Sequence, residues 1–111
     1  MNIEDILTSK HLVLKANPKW TAIIDPRPAF EKTFGKRRRF GKLQADCVYV
    51  TLDPLKEECE RAIVTNGFNL RHMRSSDGSG RTYPGFDTAG VSEAALAQLV
   101  GVLCAIVDRH L

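Results

Sequence analysis

Arg39, Tyr49 and Glu60 stand 10 and 11 residues apart along the chain, and their types suit one piece of chemistry. Arginine offers a planar, always-charged fork to a phosphate. A tyrosine ring is a flat platform against which a nicotinamide ring packs. A carboxylate beside a ribose steadies the oxocarbenium-like sugar that forms when a ring–ribose bond breaks, as glycosidases do with theirs. The three together would hold an anionic dinucleotide and act on its glycosidic bond, provided the surrounding elements bring them to one cleft.

Those elements are the most legible part of the sequence. Cys47 to Leu52 (CVYVTL) is β-branched and aromatic, so it reads as a strand, with Val48, Val50 and Leu52 on one face and Cys47, Tyr49 and Thr51 on the other. Asp53 is positioned to cap a following helix and Pro54 to open it. Leu55, Cys59, Ala62 and Ile63 then share one side, and Asn66-Gly67 supplies the stop. Phe68 to Met73 alternates weakly and reads as a second strand. A β-α-β unit over about 45–74 is expected.

Arg39-Phe40-Gly41, then Tyr49, then the helix from Pro54 to Glu60 resembles the core of RES-domain toxins, NAD-consuming proteins of bacterial toxin–antitoxin pairs. The resemblance covers residues 39–63, with Gly41 where that family usually has asparagine or aspartate. It implies an ADP-ribosyltransferase-like fold with NAD as substrate. Arg39 would meet the NAD phosphates, Tyr49 would pack on nicotinamide and Glu60 would act on the ribose. The family's later serine has no matched position; Ser79 and Ser92 are the nearest candidates.

A second feature is electrostatic. Lys32, Lys36, Arg37, Arg38, Arg39 and Lys42 fall in one window without an acid, whereas the whole chain carries only +3. The protein is thus close to neutral with one basic knot, suited to a phosphate-bearing ligand, a nucleic-acid backbone or an acidic protein. Phe34 and Phe40 flank the knot as stacking platforms for a nucleic-acid reading. Arg71, Arg74 and Arg81 form the other basic cluster, on a face the sequence does not specify. Ser75 to Gly80 is rich in Ser and Gly but has no P-loop lysine, and reads as a flexible turn.

Other chemistry has little footing. Cys47, Cys59 and Cys104 are an odd set without a C-x-x-C pair, and His11, His72 and His110 make no i, i+4 pair. No metal site or disulfide framework is expected, but free, buried thiols in a reducing cytoplasm. The longest apolar stretch, Ala94 to Val107, is 14 residues interrupted by Gln98. That is short of the ~20 a membrane span needs, and Glu4 and Asp5 stand where a signal peptide would be basic. A soluble protein without a membrane partner is expected.

The 111 residues suit a single domain over 1–111. Asn2 caps a short first helix, Trp20 to Ile24 reads as a strand, and Ala29 to Phe34 as a turn or two of helix ending at Gly35. Ser92 caps a last helix over about 92–109, with Val91 and Leu96 as a hydrophobic staple. That helix is apolar on nearly every side, so it is buried or forms a homodimer seam. The expected fold is a small α+β domain, a mixed sheet with the β-α-β unit and the buried C-terminal helix. Three functional readings stay open: an NAD-consuming toxin-like enzyme, a non-catalytic interaction protein (immunity protein, antitoxin or phage-encoded inhibitor), and a nucleic-acid-binding module using 32–42.

Overall fold

Asn2 begins the first helix by accepting the backbone N–H of Asp5 at 2.9 Å, and α1 (Ile3–Ser9) buries Ile6 and Leu7. The computed structural model describes residues 2–75 and 77–111, so Ser76 of the expected flexible turn lies outside the described residues. After α1 come β1 (Val13–Ala16), β2 (Thr21–Ile24), α2 (Pro28–Phe34), β3 (Gly41–Gln44) and β4 (Cys47–Val50). A single 3₁₀ turn (Asp53–Leu55) leads into α3 (Lys56–Thr65), then β5 (Leu70–Arg74), β6 (Thr82–Asp87) and α4 (Glu93–Arg109).

The six strands form one sheet in the order β1-β2-β3-β4-β6-β5. Each neighbouring pair is antiparallel, where a mixed sheet was expected. The expected β-α-β unit is present in split form. β4 and β5 run parallel, joined by α3, and β6 returns between them. The domain is thus α+β with its C-terminal helix packed on the sheet's helical layer.

Alternation separates two faces. Leu14, Ile23, Val48, Val50 and Phe86 turn to the side where Ile6, Leu7, Leu55, Cys59 and Ile63 from α1 and the α3 region complete the core. α4 lies against both α1 and α3. Its Leu96, Leu99, Val100, Leu103, Ile106 and Val107 are all buried. Ser92 caps it by accepting from Ala95 N–H at 3.2 Å, and the staple residues Val91 and Leu96 both join the core cluster. The apolar stripe that suggested a homodimer seam is therefore used inside the chain. Among the described residues, no helix is long and apolar enough to cross a membrane.

Two local expectations need correction, and two elements carry little local signal. Asp53 caps nothing; its carboxylate takes Arg81 at 2.7 Å instead. Phe40 is a core residue, only 1% exposed, and Phe34 packs on Phe30 with ring centroids 4.9 Å apart, so neither is a free stacking platform. Between Ser75 and Gly90 runs all of β6, although Pro84 and Gly85 within it are turn-type residues. Finally, β3 and β4 form a hairpin over Ala45 and Asp46, with φ of 50° and 60°. Both residues are left-handed, as a two-residue type I′ turn requires, without the usual glycine. Thr88 latches the hairpin, donating its N–H and its hydroxyl to the Asp46 carbonyl, each at 2.9 Å or less.

Candidate functional site

The face of the sheet opposite the helices carries the chemistry. Lys15, Ala22, Lys42, Tyr49, Gly85 and Arg71 are successive cross-strand partners, one from each strand from β1 to β5. Strands lie about 4.8 Å apart, so this row runs about 24 Å. Its side chains point away from the core because each alternates with a core residue in its own strand.

Tyr49 is half-buried and its ring lies on Gly85. A Cβ at Gly85 would stand 2.3 Å from Tyr49 Cδ1 and 2.8 Å from Cε1, so only glycine gives the ring its seat. Beyond the glycine, Arg71 is clamped by Asp87, with Nε 3.1 Å from Oδ1 and Nη2 3.0 Å from Oδ2. The Cys47 thiol also donates to Asp87, at 3.2 Å. Burial and then the Asp87 carboxylate push the Cys47 pKa up. Burial likewise raises that of Tyr49, with Cys47 adding to the effect.

On the other side of Tyr49, Trp20 organises the cations. The Arg39 guanidinium carbon is 4.9 Å and the Lys42 ammonium 4.4 Å from the centroid of its ring. Among the described residues neither cation meets a carboxylate. Burial and the neighbouring Arg39 charge both hold the Lys42 pKa down. Two like charges share one ring without an anion between them, and an incoming anion would relieve that repulsion.

Arg39 and Lys42 also line a cleft of about 250 Å³ with Arg37, Arg38 and Arg81, over Thr51, Met73 and Tyr83. Arg37 and Arg38 are exposed and without ion-pair partners among the described residues. Arg81 is spent locally, on Asp53 and Asp77. Bonds from Ser79, Ser75 and Arg81 hold the Asp77 carboxyl well below its ordinary range. The 77–81 loop thus satisfies its own polar groups and leaves few donors for a phosphate.

The sequence candidates are divided by this arrangement. Arg37, Arg38, Arg39, Lys42 and Tyr49 come together on the open face, while Lys32 and Lys36 are exposed outside the cleft lining. Glu60 goes elsewhere. It sits on α3, in the helical layer, and its carboxylate faces His72 of β5 at 3.5 Å. His72 lies on the helical side of its strand, as the register with Pro84 and the alternation with Arg71 show. The body of the sheet therefore stands between Glu60 and the ring of Tyr49. Of the second basic cluster, Arg71 and Arg81 reach the open side, whereas Arg74 shares the register face of His72. Trp20 and Tyr83 escaped the sequence reading; the alternation of β6 and the turn from Asn17 to Trp20 were the signals for them.

A larger cleft of about 460 Å³ lies between the α1–β1 junction, the end of β2 and α4. Its arginine is already matched, while Lys10, also in its lining, has no ion-pair partner among the described residues. Arg27 binds the buried Asp25 at 2.7 Å and Asp108 at 2.8 Å. All three cysteines are free, and no group of three His, Cys, Asp or Glu among the described residues is arranged to hold a metal ion. No protein-family model, curated protein or solved structure matches the chain.

Proposed function

We propose that the protein is a nucleic-acid-binding module whose basic cleft takes the phosphate backbone. One observation carries this reading: Arg39 and Lys42 are both held on Trp20 with no carboxylate paired to them, in a cleft that Arg37 and Arg38 also line and whose one acid, Asp77, is taken by Arg81. A chain near neutrality gains nothing in stability from crowding cations there. Phosphate contacts of this kind supply most of the affinity in non-specific nucleic-acid binding. The basic segment gains Tyr49 and Arg71 along the same face.

An NAD-consuming role draws on Arg39 and Tyr49 in the same way but needs a carboxylate within reach of the ribose. Glu60, facing His72 on the side of the sheet opposite Tyr49, does not support that step. A protein partner of acidic surface would use the same cations. Tyr49 lying on Gly85 in register with Lys42 favours a ligand with aromatic groups between its charges.

The test is binding of a labelled mixed-sequence oligonucleotide by fluorescence anisotropy. Wild-type protein binds at 50 mM salt, and a Lys36→Gln, Arg37→Gln, Arg38→Gln variant binds at least about tenfold more weakly with an unchanged circular dichroism spectrum. No binding by the wild type, or equal binding by the variant, overturns the reading.

A further inference from the structure

We infer that the open face binds a single strand, with one base stacked on Tyr49 and the flanking phosphates held by Lys42 on one side and Arg71 on the other. This rests on the nucleic-acid reading and names its substrate class. The first ground is shape. Reading a duplex through its major groove takes a helix or a two-stranded ribbon that projects into the groove. Here α3 and α4, the two longest helices, pack on the far side of the sheet, and what the row presents is flat strand surface.

The second ground is the seat of Tyr49. Gly85 lies inside β6, where a glycine weakens a strand. Its missing Cβ is what lets the Tyr49 ring lie down on the sheet, for a Cβ would come within 2.8 Å of two ring carbons. The Tyr49 ring is half-buried against that backbone, and a base would stack on the part left exposed, since base–aromatic stacking tolerates any sequence.

The third ground is charge spacing. Lys42 is the direct cross-strand partner of Tyr49, about 5 Å away, and Arg71 is two strands further on, about 10 Å. Asp87 fixes Arg71 through Nε and Nη2, which leaves Nη1 without a partner among the described residues. A cation, an aromatic ring and a second cation thus follow one another across the strands. Lys15, at the far end of the same row, continues the track beyond Ala22.

The experiment compares fluorescein-labelled dT12, rU12 and a 12-base-pair DNA duplex at one salt concentration, by anisotropy. The wild type is expected to bind at least one of the single strands about tenfold or more tightly than the duplex. The ratio of dT12 to rU12 affinity tells which sugar the track prefers. Tyr49→Leu is expected to cost single-strand binding about fivefold or more, and duplex binding less than that, and Tyr49→Phe to keep wild-type affinity. Equal affinity for single strand and duplex overturns the inference, as does a folded Tyr49→Leu protein that binds dT12 and rU12 like the wild type. Either result leaves the basic-cleft reading intact, whereas no binding to any of the three probes overturns both. Should Tyr49→Leu fail to fold, the single-strand to duplex ratio of the wild type decides.

Discussion

Salt dependence is the sharpest consequence of the basic cleft. Arg37, Arg38, Arg39 and Lys42 line it without ion-pair partners among the described residues. Each phosphate neutralised on a single strand contributes about −0.7 to the slope of log affinity against log salt. Four contacts give a slope of about −2.8, so affinity falls about 50-fold between 50 and 200 mM salt. Replacing Arg37 and Arg38 by glutamine halves the contacts, the slope becomes about −1.4, and the same change in salt costs only about sevenfold. Anisotropy titrations of one labelled oligonucleotide at five salt concentrations read both slopes directly. A variant that binds more weakly but keeps the wild-type slope would refute the reasoning. Its arginines would then act by shaping the cleft and not by contacting phosphate.

Cys47, Cys59 and Cys104 should react slowly with iodoacetamide at pH 8, since burial pushes Cys59 up to about 12 and Cys104 up to about 11. Asp87→Asn removes the charge beside Cys47 and leaves Arg71 near it, so labelling of Cys47, read by mass spectrometry, should speed up. Leu103→Ala, in the buried face of α4, should cost about 2–5 kcal/mol in urea unfolding, and Ser92→Ala about 1 kcal/mol through the lost cap. Burial pushes the Asp25 carboxyl up, but the hydrogen bonds and charge of Arg27 more than offset this and hold its pKa below the ordinary value. A folded pKa below the unfolded one means that its stabilisation is complete above about pH 4 and is lost as pH falls through the lower folded value. Asp25→Asn should therefore shrink the loss of urea resistance between pH 7 and pH 3, and an unchanged loss would contradict that linkage. Glu60→Gln should leave oligonucleotide affinity unchanged, with stability within about 0.5 kcal/mol of wild type, because its partnership with His72 is long, at 3.5 Å, and partly solvent-exposed.

Local signals predicted the elements whose chemistry is local. Asn2 and Ser92 cap the helices they precede, and the β-branched run from Cys47 gives a strand with the expected inner and outer faces. The apolar last helix is buried because α1 and α3 pack against it. What was hidden depends on distant partners. Ala45-Asp46 carries no glycine and gives no sign of a tight hairpin until β3 and β4 pair. Pro84 and Gly85 are turn-type residues, but Gly85 is in β6, where Tyr49, 36 residues earlier, occupies the space of its missing side chain. Asp53 has the right type and place to cap α3, and a tertiary arginine, Arg81, claims it instead. The candidate site was legible as a composition, a run of cations near Tyr49. Its platform was not, since Trp20 meets Arg39 and Lys42 only once β2 lies beside β3. Spacing along the chain put Glu60 next to Tyr49, yet a strand's two faces are separated by the sheet itself, and spacing alone cannot choose between them.

Amide chemical-shift mapping tests the central claim most directly. A ¹⁵N-labelled sample titrated with dT12 or rU12 should show its largest changes at Arg37 to Lys42, the Trp20 indole N–H, Tyr49 and Arg71, with α1, α3 and α4 almost unmoved. Changes centred on Ser9 to Leu12 and Gly101 to Asp108, or no changes at all, would contradict it.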